Sequence, residues 1–120
     1  MKYKFHYYDI LTLLFGGKMS VTARVIQQFD FQHESEFMEL EKKFEELEAQ
    51  RPDFPKGGRR MQPIAGPEWK NTLIWECEFA SLDAAQQFLD FCATDSQHDE
   101  LFRKQRPFFK SVRVEFYRNL

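Results

Sequence analysis

Twice along this chain an apolar pattern of period two gives way to one of period three to four. Val21, Ala23, Val25, Gln27, Phe29 and Phe31 alternate with Thr22, Arg24, Ile26, Gln28 and Asp30. Residues 21–31 therefore read as a strand with one apolar side. Residues 34–50 follow with Phe37, Leu40, Phe44 and Leu47 at helical spacing and glutamates filling the outer face. The second switch is sharper. Between 71 and 79, Leu73, Trp75, Cys77 and Phe79 take one side and Thr72, Ile74, Glu76 and Glu78 the other. Ser81 then suits an N-cap and Asp83 the first turn of a helix that presents Ala85, Phe88, Leu89 and Cys92.

The intervening residues complete the order. Pro52 and Pro55 end the first helix, and Lys56-Gly57-Gly58 turns the chain. Residues 59–64 read as a second strand that Pro63 confines to a sheet edge or ends. Gly66-Pro67 marks a loop. A further helical stretch over 96–105 stops before Pro107, and Val112, Val114 and Phe116 form the inward side of a last strand. The sum is βαββαβ with one extra helical turn. Right-handed crossovers fold that order into a ferredoxin-like α+β domain, a four-stranded antiparallel sheet with its helices on one face. Residues 19–120 form this single domain. Residues 1–18 read as foreign to it: their lysines, tyrosines and isoleucines have A/T-rich codons, and Gly16-Gly17-Lys18 precedes Met19 as translated upstream DNA would. Their apolar run is too short for a signal peptide or a membrane span.

Composition narrows the function classes. A net charge of −2 excludes a generic nucleic-acid binder. Cys77 and Cys92 make no CxxC pair and no zinc pattern, and read as buried thiols in a reducing compartment, the cytoplasm. His6, His33 and His98 have no metal-ligand spacing, so no metal and no cofactor is expected. The fourteen phenylalanines exceed what so short a chain readily buries alone, which points to a second copy. The sheet side away from the helices carries Ile26, Ile74 and Tyr117 among Arg24, Glu76, Arg113 and Glu115. A homodimer through that open face buries the apolar groups and pairs the ions, with Ile26, Ile74, Glu76, Arg113 and Tyr117 at the interface.

Other chemistry is weighed against blander readings. Gly57-Gly58-Arg59-Arg60 reads as a turn into a solvated edge strand, the alternative being an anion cradle. RNA recognition by this topology needs aromatics on the open face of the third strand, where this chain offers Ile74, Glu76 and Glu78. His98, near a helix start, is either a surface residue or a general base turned between helices and sheet.

The stretch Trp75-Glu76-Cys77-Glu78-Phe79, then Ser81-Leu82-Asp83-Ala84-Ala85, Asp95-Ser96-Gln97-His98, Leu101-Phe102 and Val112–Tyr117 resembles the dimeric α+β barrel superfamily, especially its antibiotic-biosynthesis-monooxygenase-like and NIPSNAP-like members. That resemblance spans nearly all of residues 20–118. It implies two sheets paired face to face, with a small aromatic or lipophilic substrate between each sheet and its own helices. In quinol-oxidising members an Asn and a Trp four residues later line the pocket, a spacing matched here by Asn71 and Trp75. With Gln27 nearby and His98 closing the pocket, two function classes stand. One is a cofactor-independent monooxygenase or isomerase. The other is a non-catalytic ligand-binding or structural dimer. A cavity of about 300 Å³ or more beside Trp75 would favour the enzyme.

Overall fold

The computed structural model describes residues 20–120; the expectations for residues 1–18 lie outside them. Strand β1 (Val21–Phe29) leads through a 3-10 turn (Phe31–His33) into helix α1 (Glu34–Gln50). Strands β2 (Arg59–Met61) and β3 (Thr72–Phe79) follow, then helices α2 (Leu82–Thr94) and α3 (Ser96–Gln105). A second 3-10 turn (Arg106–Phe108) precedes the closing strand β4 (Phe109–Arg118). The sheet is antiparallel in the order β2-β3-β1-β4, the ferredoxin-like arrangement, with β1 paired to β3 on one side and to β4 on the other.

Local chemistry places the boundaries. The Ser81 side chain accepts from the Ala84 amide at 3.1 Å and opens α2, and Asp95 accepts from His98 N at 3.0 Å and opens α3. Each satisfies an otherwise orphaned N–H. Asp30 takes the Gln32 amide and turns the chain out of β1 two residues earlier than the alternation implies, leaving Phe31 70% exposed. Likewise β2 ends at Met61, not Ile64, and Ile64 stands free of the sheet. Lys56 Nζ caps α1 by donating to the carbonyls of Glu48 and Arg51.

The core lies between the sheet and the helices. Phe29 stacks on Phe37 at 4.6 Å, and Phe109 meets Phe37 edge-on at 5.4 Å. A second aromatic group joins Phe54, Phe88 and Phe91 beneath Arg51, whose guanidinium lies 5.0 Å from the Phe54 centroid. Arg51 also forks onto Asp95, with two bonds of 2.8 Å, and onto Asp53, tying the end of α1 to the α2–α3 junction. Many of the phenylalanines thus pack within one chain.

The open face is partly covered by its own chain. Glu68, in the connection between β2 and β3, pairs with Arg113 on β4, two strands beyond the strand the connection is about to enter. The 62–71 connection therefore crosses the face at the row where Ile74, Ile26 and Arg113 stand side by side. Ile26 and Ile74 are already buried by their own chain, so they bring no free apolar area to a second copy. The rest of that face is an internal ion network: Glu76 accepts from Arg59 at 2.7 Å and lies 3.3 Å from Arg24, while Glu115 accepts from Arg113 and from the Tyr117 hydroxyl. On that face Tyr117 stays 46% exposed, and more free apolar surface lies on the helix side of β4. Val112, Val114 and Phe116 face inward but remain 38–49% exposed, because the helices do not extend over this edge strand.

Candidate functional site

Between the helices and the sheet is a cavity of about 160 Å³. Trp75 on β3, Gln27 on β1 and His98 on α3 all line it, so three of the residues singled out above meet in one place. Asn71 does not join them. Its amide donates to the Phe29 carbonyl at 2.6 Å while the Phe29 amide donates to the Asn71 carbonyl, extending the β1–β3 ladder by one rung. The cavity is also about half the volume named above as favouring an enzyme, roughly 300 Å³.

Its apolar walls are aromatic: Phe44, Trp75, Phe88, Phe102 and Phe109. Trp75 is 7% exposed and stacks on Phe88 at 5.7 Å. The indole edge carrying Nε1 lies under Gly58, where a Cβ would stand 2.9 Å from that nitrogen, and Nε1 has no hydrogen-bond partner among the described residues. A side chain on residue 58 would displace the ring, which explains a glycine at this turn without any unusual backbone angle.

The polar wall is an ion triad. Arg60 Nε donates to Glu41 at 2.7 Å, while its Nη1 and Nη2 donate to the two oxygens of Glu48 at 3.0 and 2.8 Å. Gln105 Nε2, wholly buried, supplies Glu41 with a second partner at 2.8 Å and reaches the Phe37 carbonyl. Burial pushes the Arg60 guanidinium toward losing its proton, and the Glu48 hydrogen bonds and Glu41 charge more than offset this, leaving it more firmly protonated than a free arginine. Arg60 is thus neither solvated nor available as an anion cradle. In sequence Glu41 and Glu48 read only as part of the glutamate-filled outer face of α1. The signal was their phase: Glu41 and Glu48 fall four residues after Phe37 and Phe44, on the buried stripe of α1.

His98 sits against Phe44 at 4.9 Å and Phe54 at 6.3 Å. Burial holds its imidazole below the ordinary value, against the opposing charges of Glu48, Asp95 and Asp99. The ring is therefore neutral at pH 7, and it takes no hydrogen-bond partner among the described residues. Cys92, on the same cavity, is no nucleophile: burial, with Glu48 and Asp95 nearby, pushes its thiol up to about 12. Among the described residues no group of His, Cys, Asp and Glu could hold a metal ion, and no helix is long and apolar enough to cross a membrane.

No protein-family model matches the sequence, and no curated protein is similar to it in sequence. Solved structures are similar in fold. A NIPSNAP family protein from Agrobacterium tumefaciens superimposes with a TM-score of 0.71 at 13% identity, covering 87% of this chain and 89% of that one. An uncharacterised NIPSNAP-like domain protein from Burkholderia xenovorans gives 0.70 at 14% identity, covering 87% and 88%. SnoaB, a cofactor-independent oxygenase from Streptomyces nogalater, gives 0.55 at 10% identity, covering 84% and 92%. The chain has the fold that NIPSNAP family proteins share with this oxygenase.

Proposed function

We propose that the chain binds a small single-ring lipophilic molecule in the cavity beside Trp75, and that His98 removes a proton from it without a cofactor. The observation that carries this reading is a neutral imidazole, with no hydrogen-bond partner among the described residues, on the wall of an aromatic cavity. A cavity of roughly 150 Å³ in another protein accepts benzene, so about 160 Å³ here suits one ring and little more. The proton passes to a free ring nitrogen of His98, and the electron pair stays on the substrate. The imidazolium so formed is stabilised by the charges of Glu48 and Asp95. Gln27 can donate its amide to an oxygen on which the substrate's charge collects. Return of the proton to another carbon makes this an isomerase; attack of the carbanion on dioxygen makes it an oxygenase, the activity named for SnoaB.

A second reading is favoured by the small volume and the satisfied triad: a binding domain without turnover. Deuterium exchange separates the two. Ring compounds bearing an acidified C–H are incubated with the protein in D₂O and followed by NMR. Faster exchange with the wild type than with His98→Gln, both binding the compound, supports the base. Binding with no added exchange leaves the binding domain. If no single-ring compound moves the Trp75 indole resonance at millimolar concentration, both readings fall.

We also propose a homodimer, with the β4 edge in place of the open face as its seam. An antiparallel twofold centred on Val114 sets Val112 beside Phe116 and Arg113 beside Glu115 of the second copy, covering the exposed apolar stripe. Sedimentation of a monomer at micromolar concentration would refute it, as would a dimer unaffected by Val114→Asp.

A further inference from the structure

We infer that the ligand of this cavity is a protonated arylalkylamine, its ring among the aromatic walls and its ammonium against Glu48. This rests on the reading of the cavity as a ligand site and names the class of molecule it takes.

Charge decides it. Two carboxylates, Glu41 and Glu48, face the single guanidinium of Arg60. The wall therefore keeps one negative charge that nothing among the described residues lining the cavity balances, since the His98 imidazole and the Cys92 thiol are both neutral. Asp95 and Asp99, beyond the wall, do not alter this balance, since each is paired with its own arginine, Arg51 and Arg103. Arg60 spends three of its five N–H groups on the carboxylates, so an incoming anion would meet two negative groups before an unspent positive one. An incoming cation meets the opposite field. Each Glu48 oxygen accepts one bond from Arg60 and keeps a further lone pair for an ammonium proton. The Glu48 side chain is 18% exposed, so the ammonium need not shed all its water there.

The walls act in the same direction. Phe44, Trp75, Phe88 and Phe102 present ring faces whose quadrupoles attract a cation, and Trp is the strongest of these. A neutral ring of equal size gains only the area it buries. The amine gains that area, the ring faces and the carboxylate together.

The experiment follows the Trp75 indole resonance at pH 7 during titration with benzylamine, benzyl alcohol and benzoate, three probes of one size and three charges. Benzylamine is expected to bind at least about fivefold more tightly than benzyl alcohol, with no shift from benzoate. In Glu48→Gln, benzylamine should weaken to within about twofold of benzyl alcohol, whose own affinity stays near that of the wild type. The wild-type series decides the matter even where the variant fails to fold. Benzyl alcohol or benzoate binding as tightly as benzylamine overturns this inference and leaves the cavity a ligand site. Silence from all three overturns both.

Discussion

Arg60→Met should cost this fold about 3–5 kcal/mol at neutral pH, the usual penalty for removing one partner of a buried ion cluster. The magnitude follows from how little of the triad reaches water. The Arg60, Glu41 and Glu48 side chains are 14%, 6% and 18% exposed. Methionine keeps most of the apolar stem and so changes volume little. What it removes is the three bonds to the carboxylates, leaving Glu41 with Gln105 alone and setting two like charges near each other. A domain of this size has about 5–15 kcal/mol in all, so at roughly 1–1.5 kcal/mol per molar the urea midpoint should fall by about 2–5 M. Removing all three charges, as Arg60→Met with Glu41→Gln and Glu48→Gln, should recover most of the loss. A loss below about 1 kcal/mol would refute the placement of Arg60 in a dry triad.

Three further outcomes are expected. In an NMR titration His98 should titrate below its ordinary 6.5, held down by burial, and His33 above 6.5, held up by its hydrogen bond to Glu36. The neutral His98 contributes stability that is present above pH 6.5 and lost as pH falls through its folded value, so His98→Phe should flatten that limb; two coincident titrations near 6.5 would contradict the buried ring. Gly58→Ala places a Cβ 2.9 Å from Trp75 Nε1 and 3.1 Å from Cζ2 and should cost about 1–3 kcal/mol by urea unfolding, a neutral result placing the indole elsewhere. Arg51→Lys loses the fork onto Asp95 and Asp53 and should lower the melting temperature by several degrees. Both carboxyls are held below 3.8 chiefly by their Arg51 hydrogen bonds, so the lost stability is present above pH 3.8 and vanishes in wild type as pH falls below it. An unchanged acid limb in the lysine variant would argue against the knot.

The order of elements was legible because each is set by its own neighbours. Period-two alternation marked β1 and β3, and Ser81 and Asp95 sit at helix starts whose first-turn amides they accept. The misjudged ends, Phe31 and Ile64, are both apolar residues whose phase continued a strand after the backbone had left it. Asp30 broke the first by capping a turn. The second yielded to a connection that folds back over the sheet. That connection could not be seen in advance, because the ion pair marking its path joins Glu68 to Arg113 across 45 positions of sequence. Covering Ile26 and Ile74 from within one chain left Tyr117 as the exposed apolar residue of the expected interface and put a second apolar stripe at Val112, Val114 and Phe116.

The site was half legible for a related reason. Trp75, Gln27 and His98 could be brought together because two are fixed by strand parity and the third by the helix that follows Asp95. The triad asks for more. A glutamate on a helix rich in glutamates reads as solvated until its phase is compared with Phe37 and Phe44, and even then burial is implausible without a cation. Arg59 and Arg60 are adjacent on a strand of three residues, so one of them must point inward, and no local pattern says which. Only the pairing of Arg60 with Trp75 decides it, since cross-strand partners share a face. Arg59 thereby goes outward to Glu76 and Arg60 inward to Glu41 and Glu48. A register slip of one residue would exchange them, exposing the arginine that the two glutamates require and leaving both carboxylates unpaired against the aromatic wall. The triad therefore fixes the register of β2 as firmly as β2 positions the triad.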